Sequence, residues 1–242
     1  MSAKDTIYQD GGPVAPFVFD DKVATVFTDM INRSVPGYAT IVAMIGALAE
    51  RYAQPDSLCY DLGCSLGAAT LSLRHHIKAP GCRIVAIDNS PAMIGRCEKV
   101  IAADSGTVPV ELRCADILEV GIDNASVVVL NFTLQFIPLA QRDALMRRIA
   151  NGLRPGGMVI LAEKIQLDDA ALNTLFIDLH HRFKEQNGYS QTEISRKRAA
   201  IDNVLVPETL GAHEQRLRAA GFGSFAVWFQ CLNFAAMVAV KQ

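Results

Sequence analysis

The residues best placed to do chemistry are two glycines and an acid that follows them. Gly63 and Gly67 stand between a short β-type run at 58–62 and a helical pattern that begins at Ala68. Gly63 permits a tight turn and a close approach of the backbone to a ligand, and Gly67 allows close packing of helix and strand. Asp88 closes the next apolar run, 21 residues after Gly67. A carboxylate there can accept hydrogen bonds from both hydroxyls of a ribose, so the spacing favours a ligand that contains a nucleoside.

Two acids after β-type runs each have a simpler interpretation. Asp88 could belong only to the cap between strand and helix, but Ser90 already supplies the capping side chain, so we favour the ligand role. Asp116 follows the third β-type run and is the third acid in series, so it is a further candidate for the same ligand site. For Asp116 the alternative of a solvated turn residue stays open.

Alternating short β-type runs and helical patterns must position these residues. The runs are apolar throughout and each is followed by a helical pattern, which predicts a parallel sheet covered on both faces. Pro155-Gly156-Gly157 predicts a turn into the fifth strand. The strands are expected at 58–62, 83–87, 108–114, 126–131 and 158–162, and helices at 68–77, 91–103 and 139–153.

The end of the chain breaks this alternation. β-type runs at 224–231 and 234–240 follow a helix predicted at 207–220. The link around Leu232-Asn233 is too short for a parallel crossover, so the two runs must form an antiparallel hairpin. The predicted fold is therefore α/β and Rossmann-like, with a mostly parallel seven-stranded sheet that ends in an antiparallel hairpin.

Length and composition indicate one domain over residues 1–242. A chain of 242 residues, half apolar and one fifth charged, is near the upper size for a single hydrophobic core. Residues 1–52 comprise an arm and two predicted helices, at 20–32 and 39–52. We expect residues 1–18 of this arm to be mobile or held by a partner.

A helical insert is predicted at 165–205. It is charged but interleaved with apolar residues, so we expect it to cover the site and to contribute to a homodimer. The apolar residues at helical spacing that need a partner surface are Leu172, Leu175, Phe176 and Leu179.

Charge and cysteine usage exclude several classes of function. The net charge is -2 and no Lys/Arg run exceeds 196–198, so we expect a small-molecule substrate and no direct nucleic acid partner. The six cysteines are scattered without metal-ligand spacing, which predicts reduced core thiols and no metal. The sequence shows no signal-peptide pattern and no apolar run of membrane-spanning length, so we expect a cytoplasmic protein that makes no membrane contact.

Several segments together resemble a known family. The order and spacing of the β-type runs resemble class I S-adenosyl-L-methionine (SAM)-dependent methyltransferases. The segments RSVPGY, YDLGCSLGAATLS, AIDNSPAMI, LNFTLQF and WFQCLNF, with 187–190 and 195–198, are similar to the carboxy-S-adenosyl-L-methionine synthase family. The resemblance extends from Phe19 to the C-terminus.

The resemblance implies an enzyme that transfers no methyl group. SAM, as substrate, and prephenate would give carboxy-SAM and phenylpyruvate, and a downstream tRNA carboxymethyl-transfer enzyme would use the product for wobble-uridine modification. Ser65 departs from the broader methyltransferase pattern, in which a second glycine is common, but serine is small enough for close ligand approach. The resemblance implies Tyr38 and Arg198 as catalytic residues, and as ligand-binding residues Tyr38, Gly63, Cys64, Ser65, Asp88, Asn89, Asp116, Ile117, Asn131 and Arg198.

Two of these residues suit carboxyl chemistry. Asn131 ends the fourth β-type run, and its amide can orient a charged group but is no strong base. Arg198 presents a planar fork that matches a carboxylate, a partner that a methyl group does not need. From its sequence context alone Arg198 would be one member of a solvated basic face, and only the resemblance favours the ligand role.

Other hypotheses stay open. The chain could be an ordinary methyltransferase acting on a small molecule or tRNA, or a SAM-binding partner of an RNA-modifying enzyme without chemistry of its own. We expect His180 and His181 to be exposed or capping, since no third metal ligand stands at helical spacing. Trp228 and Phe229 are expected in the core or at a subunit interface.

Overall fold

The architecture is a single seven-stranded sheet with helices on both faces. It is described by a computed structural model for residues 3–9, 14–202 and 204–242. The helices are α1 (Asp21–Ser34), α2 (Tyr38–Tyr52), α3 (Ala68–His76), α4 (Pro91–Ala103), α5 (Leu139–Gly152), α6 (Ala170–Gln186), α7 (Gln191–Ile201) and α8 (Leu210–Ala219). The strands are β1 (Leu58–Leu62), β2 (Arg83–Asp88), β3 (Val110–Cys114), β4 (Ala125–Asn131), β5 (Leu153–Lys164), β6 (Phe222–Cys231) and β7 (Phe234–Lys241), and a 3-10 turn spans Leu134–Phe136.

The sheet order is β3-β2-β1-β4-β5-β7-β6. Strands β1 to β5 pair in parallel, whereas β7 is antiparallel to both β5 and β6. This confirms the predicted parallel sheet and its terminal hairpin. From β1 the chain moves outward to β2 and β3 and then returns to the other side for β4, so the connections diverge between β1 and β4. Such a switch point opens a crevice at the carboxyl ends of the strands.

The predicted turn before the fifth strand is wrong, because residues 154–157 form a bulge within β5 instead. Leu153 already pairs with Ala125, and Met158 pairs with Val127, so residues 154–157 bulge out of a strand that continues on both sides. Gly156 adopts a φ of 74°, a left-handed conformation that glycine accepts without a Cβ clash. The proline and glycines therefore bend β5 rather than end it.

The core explains why the parallel strands are apolar throughout. Val127, Val129 and Ile160 point to one face, where they pack with residues of α2 and α3. Val128 and Leu130 point to the other face, where they pack with residues of α5. Because both faces of the sheet are covered, neither set of side chains meets water.

The described part of the N-terminal arm is anchored by the chain itself. Asp5 is almost fully buried, and its carboxylate accepts a hydrogen bond of 2.5 Å from the Tyr189 hydroxyl. Its backbone N–H donates to Asp29 at 2.7 Å, and Arg33 donates to its carbonyl. The expectation of a mobile or partner-held arm is therefore wrong for residues 3–9, while residues 1, 2 and 10–13 lie outside the described residues.

The insert at 165–205 contains α6 and α7, which pack between the N-terminal arm and the sheet. Helix α7 begins with a capping box in which Ser190 and Glu193 satisfy each other's backbone N–H groups. Lys197 of α7 donates to the Ser34 hydroxyl at 3.1 Å. The insert therefore packs beside the end of α1, above the carboxyl ends of the strands. No helix in the described ranges is long and apolar enough to cross a membrane.

Candidate functional site

One cavity of about 620 Å³ lies at the carboxyl ends of the parallel strands. This volume is in the range of small-molecule sites, about 300–1,000 Å³. Strands β2, β4 and β5 end at its wall with Asp88, Asn131 and Lys164. All ten ligand-binding residues expected from the resemblance line it: Tyr38, Gly63, Cys64, Ser65, Asp88, Asn89, Asp116, Ile117, Asn131 and Arg198.

The loop after β1 has the tight backbone that its sequence predicts. Gly63 adopts a φ of 82°, and a Cβ there would lie 2.4 Å from the Thr133 hydroxyl oxygen. Ser65 also adopts a left-handed φ, of 51°, where glycine would be less strained. Close packing at Gly67 was expected against the strand, but a Cβ at Gly67 would meet the sulfur of Cys97 on α4 at 2.7 Å. Gly67 therefore allows α3 to approach α4.

Asp88 connects two loops through its carboxylate. One oxygen accepts from the Ser65 backbone N–H and the other from the Ser90 backbone N–H, each at 2.9 Å. The Ser90 hydroxyl caps α4 by accepting from Met93, as predicted. Each carboxylate oxygen of Asp88 retains capacity for a second hydrogen bond, so the loop contact and a ribose contact are compatible.

Asp61 is a site residue that the sequence reasoning did not single out. It is 0% exposed, and one oxygen accepts a 2.6 Å hydrogen bond from the Thr70 hydroxyl. The other oxygen has no partner in the structure, and burial raises the pKa of the carboxyl to about 6. An unpartnered buried carboxylate oxygen on a cavity wall suits a cationic group. Its sequence signal is an acid two residues before Gly63.

Asn131 and Tyr38 lie next to each other in the wall of the cavity. The Asn131 side-chain oxygen is buried without a partner, and its amide lies beside the Tyr38 hydroxyl. Burial, and then the charge of Asp61, raise the pKa of Tyr38 well above its usual value, so the phenol stays protonated. Phe132, directly after Asn131, adopts a φ of 60°, a strained conformation for a bulky residue.

In the loop after β3, the position of Asp116 is compatible with both the turn role and the ligand role. Its side chain accepts from the Leu118 backbone N–H at 2.8 Å, which is the turn role, yet the residue also lines the cavity. Arg148 of α5 donates to the carbonyls of Ile117 and Leu118 and so holds the loop in place. Together we call Asp61, Asp88 and Asp116 the acidic end of the cavity.

The cations that line the cavity lie on β5, α6 and α7, and β4 separates β5 from β1 in the sheet. Lys164, Lys184 and Arg198 act on one another as like charges, and we call them the cationic end. Arg198 is 51% exposed, and its Nε lies 3.4 Å from a carboxylate oxygen of Asp202. Arg198 is therefore half-exposed to solvent, as the alternative of a solvated basic face predicts, although it also lines the cavity. Lys184 is 8% exposed, and burial together with neighbouring positive charges lowers its pKa to about 7. Sequence reasoning missed both lysines, although Lys164 ends a mostly apolar strand, as Asp88 and Asn131 do.

His180 is not exposed, but it meets the alternative expectation of a capping role, because its ring contacts the carbonyl of the last residue of α1. His180 is 6% exposed, lines the cavity and lies with its Nε2 2.8 Å from the Ser34 carbonyl. Burial lowers its pKa to about 3, so the ring is neutral. Its neighbour His181 is partly buried and also lines the cavity. Across the described residues, no three His, Cys, Asp or Glu side chains are grouped to hold a metal ion.

Trp228 and Phe229 are half-buried and lie against the core rather than within it. Both pack against the face of the sheet that α2 and α3 cover. A Cβ at Gly37, just before Tyr38, would meet the Phe229 ring at 2.3 Å. Phe229 therefore supports the start of α2 and, through it, the position of Tyr38.

The fold and cavity define a methyltransferase-like protein. Residues 60–157 match a family model described as a methyltransferase domain. Human N-acetylserotonin methyltransferase in complex with SAM superposes with a TM-score of 0.59 at 16% identity, over 91% of this chain and 55% of that chain. An O-methyltransferase family protein from Burkholderia thailandensis gives 0.64 at 19% identity, over 93% and 61%. The chain therefore has the Rossmann-like class I methyltransferase fold.

Closer relatives identify the family. A carboxy-S-adenosyl-L-methionine synthase from Trichlorobacter lovleyi is 58% identical over 94% of both chains. A protein of the same name from Aliivibrio salmonicida is 54% identical over 100% of both. The chain belongs to the carboxy-S-adenosyl-L-methionine synthase family.

Proposed function

We propose that the protein converts SAM and prephenate to carboxy-SAM and phenylpyruvate. The observation that carries this proposal is the division of one cavity into an acidic end that suits a nucleoside and a cationic end that suits carboxylates. A methyl acceptor would need no cluster of cations, whereas a doubly anionic co-substrate and a carboxylated product do.

The acidic end fits SAM group by group. Asp88 would accept from the ribose hydroxyls, and Asp116 with the Ile117 amide would meet the adenine. The unpartnered oxygen of Asp61 would accept from the ammonium of the methionine moiety. The N-terminus of α3 would favour its carboxylate. Asn131 and Tyr38 would then lie beside the sulfonium and orient the reacting groups without acting as bases.

The reaction balances without a base from the protein. Loss of CO₂ and hydroxide from prephenate gives phenylpyruvate, and the hydroxide takes one proton from the sulfonium methyl to form water. The methyl carbon, now a carbanion stabilised by the adjacent sulfonium, forms a bond to CO₂ and becomes a carboxymethyl group. The cavity would limit access of bulk water to both reactive species.

Three further features of this proposal concern partners and location. The carboxymethyl donor would be consumed by a tRNA carboxymethyl-transfer enzyme in the cytoplasm. The protein would form a homodimer through α6, where Leu172 and Leu175 are each 47% exposed. Light scattering at micromolar concentration should give the mass of a dimer, and a clean monomer would contradict this assembly.

Mass spectrometry of the bound ligand and of reaction products tests the proposal. Purified protein should carry a ligand with the mass of carboxy-SAM and should form it from SAM and prephenate. Methyl transfer from SAM to an acceptor would indicate an ordinary methyltransferase instead. Bound ligand without turnover of any substrate would indicate a non-catalytic SAM-binding protein.

A further inference from the structure

Two lysine ammonium groups face the cavity without a partner. Lys164 ends β5, and Lys184 lies on α6 with only 8% of its surface exposed. No salt bridge or hydrogen bond within the described ranges engages either ammonium. Lys197, by contrast, donates to Ser34 at 3.1 Å and lies 3.9 Å from the Asp5 carboxylate. The chain thus pairs the lysine that supports the fold and leaves two others open to the cavity.

Neighbouring positive charges make it less favourable for Lys184 to carry its own charge. Lys164, Lys197 and Arg198 all act on Lys184 as like charges, and Asp202 is the acid that opposes them. A buried ammonium without a counter-ion is unfavourable, and buried charges in native proteins are paired as a rule. Asp202 favours the charged form of Lys184, but it lies beside Arg198 and is 56% exposed, so solvent screens its charge. The missing counter-charge is an anion that enters the cavity.

We propose that Lys164 and Lys184 form a second anion subsite, which holds the 2-oxo-acid carboxylate of the co-substrate. This inference rests on the proposed function. Prephenate carries two carboxylates, of which one leaves as CO₂ and the other persists in phenylpyruvate. Arg198 serves the carboxyl group that becomes attached to the SAM methyl, and the lysine pair fixes the carboxylate that does not react. The pair therefore determines which end of the co-substrate faces the sulfonium.

Replacing Lys184 by methionine tests the subsite, because the side chain stays unbranched, is one atom shorter and loses its charge. Lys184→Met should raise KM for prephenate and Ki for phenylpyruvate about ten- to a hundredfold. The affinity for SAM, measured by calorimetric titration, should stay unchanged. Lys164→Met should act in the same direction and serves if Lys184→Met does not fold. Lys99→Met, at an exposed position of α4, is the matched control and should change nothing.

The outcomes separate the subsite from the proposed function. If wild-type protein forms carboxy-SAM but Lys184→Met and Lys164→Met keep the wild-type KM and Ki, the subsite is overturned and the proposed function stands. An equal loss of SAM affinity would also overturn it, since the lysines would then support the whole cavity. If wild type forms no carboxy-SAM, the proposed function fails. Titration of prephenate into the S-adenosylhomocysteine-loaded protein then shows whether the lysines bind an anion at all.

Discussion

The two ends of the cavity are built in different ways. Loop contacts already hold two acids of the acidic end: Asp88 accepts from two backbone N–H groups, and Asp116 accepts from one. At the cationic end, Lys164 and Lys184 make no hydrogen bond or salt bridge within the described residues. The acidic end is therefore preorganised before ligand arrives, whereas the cationic end is completed by the anions that enter it.

The largest expected effect is at the preorganised end. Asp88→Ala removes the ribose acceptor and also releases the Ser65 and Ser90 backbone contacts, so SAM binding should weaken by about 2–4 kcal/mol. Isothermal titration with SAM measures this loss. Asp168→Ala, at an exposed acid outside the cavity, provides the control. An unchanged affinity in Asp88→Ala would refute the ribose assignment.

Arg198 tests whether the cationic end distinguishes carboxy-SAM from SAM. Because its side chain is 51% exposed, solvent screens the interaction. Arg198→Ala should therefore weaken carboxy-SAM binding by about tenfold, near 1.4 kcal/mol, and leave SAM binding nearly unchanged. Arg198→Lys should restore only part of the loss, because an ammonium lacks the planar fork.

Competition binding with both ligands on wild type and the two Arg198 variants gives the comparison directly. Equal losses for SAM and carboxy-SAM would mean that Arg198 supports the fold or the shared part of the ligand. The cationic end would then have no role in recognising the transferred carboxyl group.

The pH dependence should sharpen the contrast between the ends. Lys184 has a pKa lowered to about 7, so it is a cation below that pH and loses its charge above it. Anion binding should weaken accordingly, and kcat/KM for prephenate should fall by up to about tenfold per unit above pH 7. Lys184→Met should lack this step. The other charged or titratable groups near Lys184 are Lys164, Lys197, Arg198, Asp202, His180 and His181.

His180 does not complicate this profile, because its pKa of about 3 keeps it neutral throughout the range. A profile that is identical in wild type and Lys184→Met would assign the step to another group. Calorimetric titration of SAM across the same pH range is the internal control, since its binding relies on the acidic end.

The smallest effect is expected at Ser65. Its φ of 51° is strained for serine, and its hydroxyl donates a long hydrogen bond to the Met93 sulfur, at 3.5 Å. Ser65→Gly should change the free energy of unfolding by less than about 1 kcal/mol and leave SAM affinity intact. Ser65→Val, which is β-branched, should destabilise the protein. Thermal melting of both variants checks the sign, and a loss of SAM affinity in Ser65→Gly would assign the hydroxyl to the ligand.

Asp88 and Asp116 of the acidic end could be predicted from sequence because their geometry is local, whereas Asp61 was missed. Gly63 and Asp88 belong to loops that directly follow apolar strands, and parallel strands bring their carboxyl ends to one edge. The cap at Ser90 and the terminal hairpin follow from short-range rules in the same way. The bulge at 154–157 could not be predicted, since proline and glycine signal a turn whether or not the strand continues beyond them.

The sequence by itself determined three parts of the site: the glycine loop after β1, the acid that ends β2 and the amide that ends β4. Each could be predicted from residues a few positions away. Only the tertiary structure decided that Lys184 and His180 are buried and face the same cavity as Lys164. Charged and apolar residues of α6 are not separated onto opposite faces of the helix. The sequence of α6 therefore does not show which face packs inward. That side is set by long-range contacts, such as that of His180 with Ser34, 146 residues apart in sequence. Burial and like charges then produce the electrostatics of the cationic end.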